Sequence, residues 1–418
     1  MADRTFHASL YWALFLLGGS AIPPGGLSSQ VHSLTRSIEF DFGTWTVDAV
    51  FSKISDWGLS LQHFISPESQ SHLVLVYLDQ VRLVQSLNAE ILTLYSTPAI
   101  EDADTASQGL RLELGAAEKR LSELAPLAEA ILQAQLTAVL EDVGLDVLGQ
   151  VLPPSLFQFS DVPQSLIVSP RTEIKKILEI SLTEGISADE MEQLESGIFT
   201  ELDVAALIVP IGGIGIYPTM IMQTTDIVWM TEVITHEWTH NFLTLHPLGI
   251  NYDTNSELRT INETTASLVG KELGLMILEK YYPEYVPQEA QAGEVEPANA
   301  DLEPTSETDK FDFQTEMRIT RVEVDRLLAE GEVEAAEAYM ETRREFFWEN
   351  GYLIRKINQA YFAFYGAYND DPGGGAAGVD PVGPAVVAFR AQFESVADFL
   401  SAISWVDSFD ELLGLMEE

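Results

Sequence analysis

The sequence of 418 residues contains no cysteine. Disulfide bonds, thiolate metal sites and a cysteine nucleophile are therefore excluded. The lack of cysteine does not identify a compartment, because such a chain is compatible with a reducing and with an oxidising environment.

Basic residues are scarce as well. Lys and Arg together number 22 against 65 Asp and Glu, so the formal net charge is −43. A surface this negative repels phosphate backbones and anionic lipid headgroups. We therefore expect no nucleic-acid partner and no electrostatic docking on a membrane. The charge says nothing about the type of reaction.

Long apolar runs are rare, and one of them lies at the N-terminus. The run "ASLYWALFLL" at residues 8–17 follows Arg4 and precedes "GGSAIPPGG", where Ala21 is a small residue suited to a cleavage point. The run is short for a bilayer span before Pro23 interrupts it. We expect residues 1–22 to be a signal peptide or membrane anchor, and the protein to be extracytoplasmic, either secreted or membrane-anchored. The alternative is a buried first helix.

Apolar residues recur at helical spacing in two regions, residues 23–150 and residues 312–418. The predicted helices in these regions span 71–95, 107–143, 313–331 and 332–368. The first two follow each other closely and predict an antiparallel helical hairpin in the N-terminal region.

The central region, residues 151–282, has a different pattern. Short segments rich in β-branched and apolar residues, bounded by Pro and Gly, predict strands. These segments are 165–171, 176–182, 205–213 and 215–224. Helical pattern returns at Asp226 and again at Ser256. Residues 283–311 are rich in Pro, Glu, Ala and Thr without apolar periodicity, which predicts an acidic mobile loop. The expected fold class is α+β and mainly helical.

One motif in the central region has metal-ligand spacing. In "VITHEWTHNFL", His236 and His240 are four residues apart on a predicted helix, so both imidazoles lie on one face and can hold one zinc ion. Glu237 lies beside them, where it can serve as general base for a zinc-bound water. The alternative is a chance match, but a charged cluster in an apolar helix is costly unless something binds it.

Two residues close to the motif are candidates for the third metal ligand. His246 has the spacing of the metzincin ligand, but that pattern needs a glycine for a sharp turn where this chain has Leu243. Pro247 also favours an extended conformation at His246, as at a helix exit. Asp253, in "NYDTN", is a second rival, although no Gly-Thr precedes it.

Glu263 is a better candidate for the third ligand than His246 or Asp253. It lies on the predicted helix that begins at Ser256, and Ala266, Ser267 and Gly270 give its face small residues. This helix can therefore approach the first one closely, and Ser267 could support a ligand. The alternative is a glutamate on a helix surface. We predict zinc ligation by His236, His240 and Glu263.

His-Glu-x-x-His followed by Asn-Glu-x-x-Ala, which begins at Asn262, resembles the gluzincins, the thermolysin-like zinc metallopeptidases. The resemblance implies that residues 151–282 form a zincin-like catalytic core, in which a small mixed β-sheet packs on the active-site helix. It also implies that Glu237 is the catalytic base. In gluzincins a strand just before that helix pairs with the substrate backbone, which gives this role to the segment 215–224. Thermolysin has an aspartate where Ser267 stands, so the supporting contacts do not transfer.

A second, shorter stretch, "INQAYFAFYGAY" at residues 357–368, resembles a helix of bacterial membrane-anchored predicted aminopeptidases. In those proteins Asn-Asn-Ala precedes a Tyr by eight residues; here Gln359 replaces the second Asn and Tyr368 is retained. Because Asn358, Tyr361, Tyr365 and Tyr368 have the spacing of one helical face, any of them could donate to an oxyanion. We expect Tyr368 or Tyr365; the alternative is an aromatic core stripe.

The sequence therefore predicts a zinc peptidase that acts on peptides or proteins, in which Glu237 activates a zinc-bound water, with an aminopeptidase as one form of that activity. The alternatives are a catalytically inactive zinc-binding protein and an exported structural envelope protein without metal.

Overall fold

Helices predominate in the computed structural model, which describes residues 25–57, 65–96, 102–287, 311–367 and 375–417. This confirms the α+β, mainly helical class. The predicted export segment, Tyr368 and most of the predicted acidic loop lie outside the described residues. Within the described ranges, no helix has both the length and the apolar character needed to cross a membrane.

The α-helices are α1 Leu27–Thr35, α2 Phe42–Trp57, α3 Pro67–Ser96, α4 Ala103–Asp142, α5 Ala188–Leu202, α6 Ile227–Leu243, α7 Pro247–Ile250, α8 Ser256–Tyr281, α9 Phe313–Ala329, α10 Val333–Glu349, α11 Gln359–Tyr365, α12 Val382–Arg390, α13 Val396–Ile403 and α14 Phe409–Glu417. The strands are β1 Asp146–Val147, β2 Gln150–Val151, β3 Phe157–Ser160, β4 Gln164–Pro170, β5 Leu178–Leu182, β6 Val204–Val209, β7 Gly213–Ile214 and β8 Thr219–Met222.

The chain divides into two compact units, each built from three segments. The first unit comprises Met1–Ser55, Pro163–Ile211 and Ile319–Gly366. The second unit comprises Asp56–Val162, Gly212–Arg318 and Ala367–Glu418.

An antiparallel sheet in the order β5-β4-β6 organises the first unit. Helix α5 packs against β6, and α11 packs against β4 and β6. Helix α5 begins with a capping box, in which Ser187 and Glu190 satisfy each other's backbone amides. It ends at Asp203, which adopts a left-handed conformation with φ of 53°. These signals delimit a helix that the strand patterns around it do not predict.

The second unit contains the predicted helical hairpin, formed by α3 and α4. The two helices are antiparallel, since Gln80 donates to the carbonyl of Ala117 at 3.1 Å while Tyr95, near the end of α3, contacts Asp104 at the start of α4. Apolar residues of both helices belong to the main core of this unit, together with residues of α6, α8, α12 and α13.

The helix with the His-Glu-x-x-His motif packs on a small mixed sheet, as predicted for the fold class. The sheet has the order β3-β8-β7, in which β3 is parallel and β7 antiparallel to β8. Helix α6 contacts β7 and β8 on one face and packs along α8. The sheet and α8 therefore enclose α6 within the second unit.

The prediction of one continuous helix over residues 332–368 is wrong. Helix α10 ends at Glu349, and Gly351 adopts a left-handed conformation with φ of 89°, which terminates the helix. A new helix, α11, begins only at Gln359, where the Asn358 side chain accepts from the amide of Tyr361. Asn358 is thus a helix cap whose Nδ2 also donates to the carbonyl of Ala206, and it does not share a continuous helical face with the tyrosines.

Candidate metal centre

Helix α6 presents His236, Glu237 and His240 within one and a half turns. Asp226 caps the N-terminus of this helix, and its carboxylate accepts from the amides of Val228 and Trp229. With His236 and His240 four residues apart, their rings lie on one face, with centroids 4.7 Å apart. The local sequence therefore places both imidazoles side by side.

Helix α8 approaches this face closely because two of its contact residues are glycines. A Cβ atom at Gly270 would lie 3.1 Å from Cβ of His236, and one at Gly274 would lie 3.0 Å from the backbone of Glu232. The Thr235 hydroxyl also donates to the carbonyl of Gly270 at 2.8 Å. The two helices thus meet backbone to backbone, which places Glu263 beside the histidines.

Three ligand atoms converge between the helices. Nε2 of His236 lies 3.0 Å from Nε2 of His240, and Oε2 of Glu263 lies 3.7 Å and 3.5 Å from these two nitrogens. Zinc bonds of about 2.0–2.2 Å in a tetrahedral site separate neighbouring ligand atoms by roughly 3.3–3.6 Å. Among the described residues, this is the group of His, Asp and Glu side chains that could hold a metal ion.

The hydrogen bonds around the group leave these three atoms free to face one another. The amide oxygen of Asn262 lies 2.8 Å from Nδ1 of His240 and, as an acceptor, holds the proton at Nδ1. The Tyr252 hydroxyl donates to Oε1 of Glu263 at 2.5 Å. Oε2 of Glu263 is buried and accepts no hydrogen bond within the described chain. Acceptor atoms that converge in a buried site fit a cation.

The charged groups of the site shift one another's pKa values. Burial lowers the pKa of His240, but the carboxylates of Glu263 and Glu237 outweigh burial and raise that pKa to about 9. Burial raises the pKa of Glu263, yet the nearby His240 and His236 bring it well below its usual value. Carboxylate and imidazole thus stabilise each other's charged forms, and Glu263 is ionised, as a metal-binding carboxylate must be.

Glu237 lies on the sheet side of the same helix. Its side chain is buried, and burial raises its pKa above the ordinary value, while His236 and His240 oppose that rise. A Cβ atom at Gly213 of β7 would lie 2.8 Å from Cγ and Oε1 of Glu237. The Glu237 carboxylate is thus held close to the backbone of β7, with a pKa shifted toward neutrality as suits a general base.

His246 and Asp253, the other two candidates for the third ligand, do not belong to the group of His236, His240 and Glu263. Leu243, where a turn glycine would be needed, is the last residue of α6 and is fully buried. His246 caps α7, its Nδ1 donates to the carbonyl of Phe242, and its ring stacks on Phe242 with centroids 4.6 Å apart. Asp253 is exposed.

The two tyrosines predicted as oxyanion donors belong to other parts of the chain. Tyr365 ends α11 in the first unit, where its ring lies 4.6 Å from that of Tyr361. Burial raises the pKa of Tyr365, and the nearby Arg355 opposes that rise. Tyr368 lies outside the described residues, so the donor role of either residue stays a prediction.

Three features of the site are not among the residues expected from the sequence. Tyr252 neighbours Asp253, the rival ligand, and its hydroxyl reaches Glu263 across a turn. Asn262, rather than Ser267, forms the hydrogen bond to His240. Gly213 and Gly215 allow β7 to pass against Glu237 and His240. Glycines just before a metal-binding helix are the one sequence signal that points to such a contact.

The chain matches no protein-family model, no curated protein and no solved structure. The geometry of the site is therefore the basis for a functional proposal.

Proposed function

We propose that the protein is a zinc-dependent peptidase of the gluzincin type. The observation that carries this proposal is the convergence of His236, His240 and Glu263 with a buried carboxylate, Glu237, on the same helix. Two imidazoles and one carboxylate are a ligand set of catalytic zinc sites, and three protein ligands leave a fourth position open.

The donor set supports zinc over calcium and magnesium. Imidazole nitrogen and a single carboxylate oxygen suit zinc, whereas calcium and magnesium take six or more oxygen ligands. A zinc ion in such a site lowers the pKa of water to about 7 and polarises a carbonyl group.

Glu237 has the position and the pKa shift of a general base. Its carboxylate interacts electrostatically with His236, His240 and Glu263, so it lies near the metal position and can accept the proton of the attacking water. It can then return this proton to the amine that leaves. A structural zinc site would need protein ligands in all four positions and no additional buried carboxylate.

Tyr252 and Asn262 position the ligands. The Tyr252 hydroxyl holds one oxygen of Glu263, so the other oxygen is directed at the histidines. Asn262 fixes the proton of His240 on Nδ1, which leaves Nε2 as the ligand atom.

Strand β7 supplies a surface for the peptide. It has β8 as its one partner among the described strands, so its other edge is free for backbone hydrogen bonds. Gly213 of this strand lies against Glu237, and Gly215, just beyond it, lies against His240. A peptide that adds to β7 as a further strand would run past the catalytic base.

The test combines metal content with hydrolysis. We expect the protein purified without added metal to contain about one zinc ion per chain and to cleave members of a mixed peptide library. Glu237→Gln should keep zinc and fold but lose turnover by about two to four orders of magnitude, because it removes proton transfer alone. A wild-type protein that binds zinc but cleaves no peptide would support zinc binding and contradict the proposed peptidase activity.

A further inference from the structure

One edge of the sheet β3-β8-β7 is closed by side chains. Strand β3 forms this edge, and two side chains of α4 occupy the backbone groups that it directs away from β8. The Glu129 carboxylate accepts from the amide of Phe159 at 2.7 Å, and Nε2 of Gln133 donates to the carbonyl of Phe157 at 2.8 Å. A strand that added to β3 would have to displace both side chains. Among the described strands of this sheet, β7 therefore offers the edge for a further strand.

The register of β7 determines which of its backbone groups face this free edge. The amide of Met222 donates to the carbonyl of Gly212 at 3.0 Å, so these two residues form a hydrogen-bonded pair. Such pairs alternate along an antiparallel ladder, so the next residue of β7 that is bonded to β8 is Ile214. Because peptide groups are trans and planar, the N–H and C=O groups of Gly213 and the N–H group of Gly215 point toward the free edge.

Side chains on β7 alternate between the two faces of the sheet. Gly213 lies on the face toward the metal centre, since a Cβ atom there would lie 2.8 Å from Cγ of Glu237. Gly215 lies on the same face, where a Cβ atom would lie 2.9 Å from Cβ of His240. Ile214 lies between them and therefore on the opposite face. It is half-buried, so part of it is accessible to a strand that adds at the free edge.

We propose that Ile214 selects an apolar side chain in a substrate peptide that adds antiparallel to β7. The peptide residue opposite Ile214 is in a non-hydrogen-bonded pair, in which the two Cβ atoms approach to about 4.5–5.5 Å and the side chains pack together. The peptide residues before and after it pair with Gly215 and Gly213, and their side chains point toward the metal centre. This inference rests on the proposed peptidase function, because it concerns the substrate of that site.

The test applies one peptide library in two measurements. The cleavage products of the wild-type protein give its preference at each substrate position, and binding to Glu237→Gln gives the preference without cleavage. We expect one position at which Val, Ile or Phe is favoured about fivefold over Asp in both measurements. Cleavage without such a position would overturn the role of Ile214 and leave the peptidase function standing. Binding with this preference but without cleavage would support the role of Ile214 and contradict the peptidase function. Neither binding nor cleavage would refute both.

Variants on one face of the sheet assign the preference to a residue. Ile214→Lys should replace the apolar preference by an about fivefold preference for Asp or Glu, because opposite charges paired across strands attract each other. Ile214→Thr keeps the β-branched shape and should weaken the apolar preference. Met222→Lys is the matched control, since Met222 is 39% exposed on the face of Ile214 but lies on β8, and it should retain the wild-type preference. An unchanged preference in both Ile214 variants would refute the proposal.

Methylation of the peptide backbone tests the pairing itself. N-methylation of the residue that follows the apolar one removes the donor to the carbonyl of Gly213 and should weaken binding to Glu237→Gln about tenfold. N-methylation of the apolar residue itself should have a smaller effect, because its N–H group points away from β7. The opposite order of the two effects would overturn the proposed pairing with Ile214.

Discussion

The Tyr252 hydroxyl donates to Oε1 of Glu263 at 2.5 Å, and Oε2 of the same carboxylate lies 3.5 Å from Nε2 of His240. The phenol thus occupies one oxygen of Glu263, and the other oxygen faces the two imidazoles. The carboxylate can then bind a metal through a single oxygen in a fixed orientation.

Tyr252→Phe should weaken zinc binding without abolishing it. The variant keeps the ring but removes the hydrogen bond that orients Glu263, and loss of such a supporting partner costs about 10–100-fold in metal affinity. Competition with a zinc chelator measures the effect. Tyr285→Phe, at a tyrosine that is 42% exposed, is the control and should bind zinc like wild type. Equal affinities in both variants would show that Tyr252 does not position the ligand.

The ligand set itself is tested by alanine variants. His236→Ala, His240→Ala and Glu263→Ala should each reduce zinc affinity by more than the roughly 10–100-fold expected for a supporting residue, because each removes a direct bond. His246→Ala is the matched control, since the His246 ring packs on Phe242 and not on the metal group. If His246→Ala strips the metal while Glu263→Ala retains it, the gluzincin assignment is wrong.

The parts of the site that lie within one helix could be predicted from the sequence. The spacing of His236 and His240 fixes their common face wherever the helix lies, and periodicity places the start of α8 correctly at Ser256. The contact of Tyr252 with Glu263 depends on the path of the turn between α7 and α8, which no local pattern encodes. Periodicity does not reveal the break after Glu349, because aromatic residues on both sides mimic one helical face, although Gly351 marks the turn.

Strand β7 passes close to Glu237, the proposed catalytic base, and this contact leads to a further prediction. Gly213→Ala would place a Cβ atom 2.8 Å from Cγ and Oε1 of Glu237 and 2.9 Å from the carbonyl oxygen of Met220, so strand or carboxylate must shift. Displacement of a catalytic group by about 1 Å can cost on the order of a hundredfold in rate. We expect Gly213→Ala to bind zinc and lose turnover by about that factor.

The same substitution elsewhere provides the control for Gly213→Ala. A Cβ atom at Gly197, on α5, would meet no heavy atom within 4 Å. Gly197→Ala should therefore leave turnover unchanged and stabilise the protein by about 0.5–1 kcal/mol, since Ala is the better helix former. Thermal unfolding and steady-state kinetics measure both quantities. Normal turnover in Gly213→Ala would mean that β7 does not constrain Glu237.

The tyrosines of the C-terminal motif test whether a second part of the chain contributes to catalysis. A donor to the oxyanion acts in the transition state, so removal of its hydroxyl should reduce turnover by about a hundredfold or more while zinc content stays normal. We expect this result for Tyr365→Phe or Tyr368→Phe.

Tyr361→Phe is the comparison, because the Tyr361 side chain is 9% exposed and packs against Phe362 and Tyr365, as a core residue does. Loss of the Tyr361 hydroxyl should change the free energy of unfolding by at most about 1 kcal/mol. Three phenylalanine variants with normal turnover would confine the catalytic apparatus to residues 213–274, and the tyrosines would then be core residues alone.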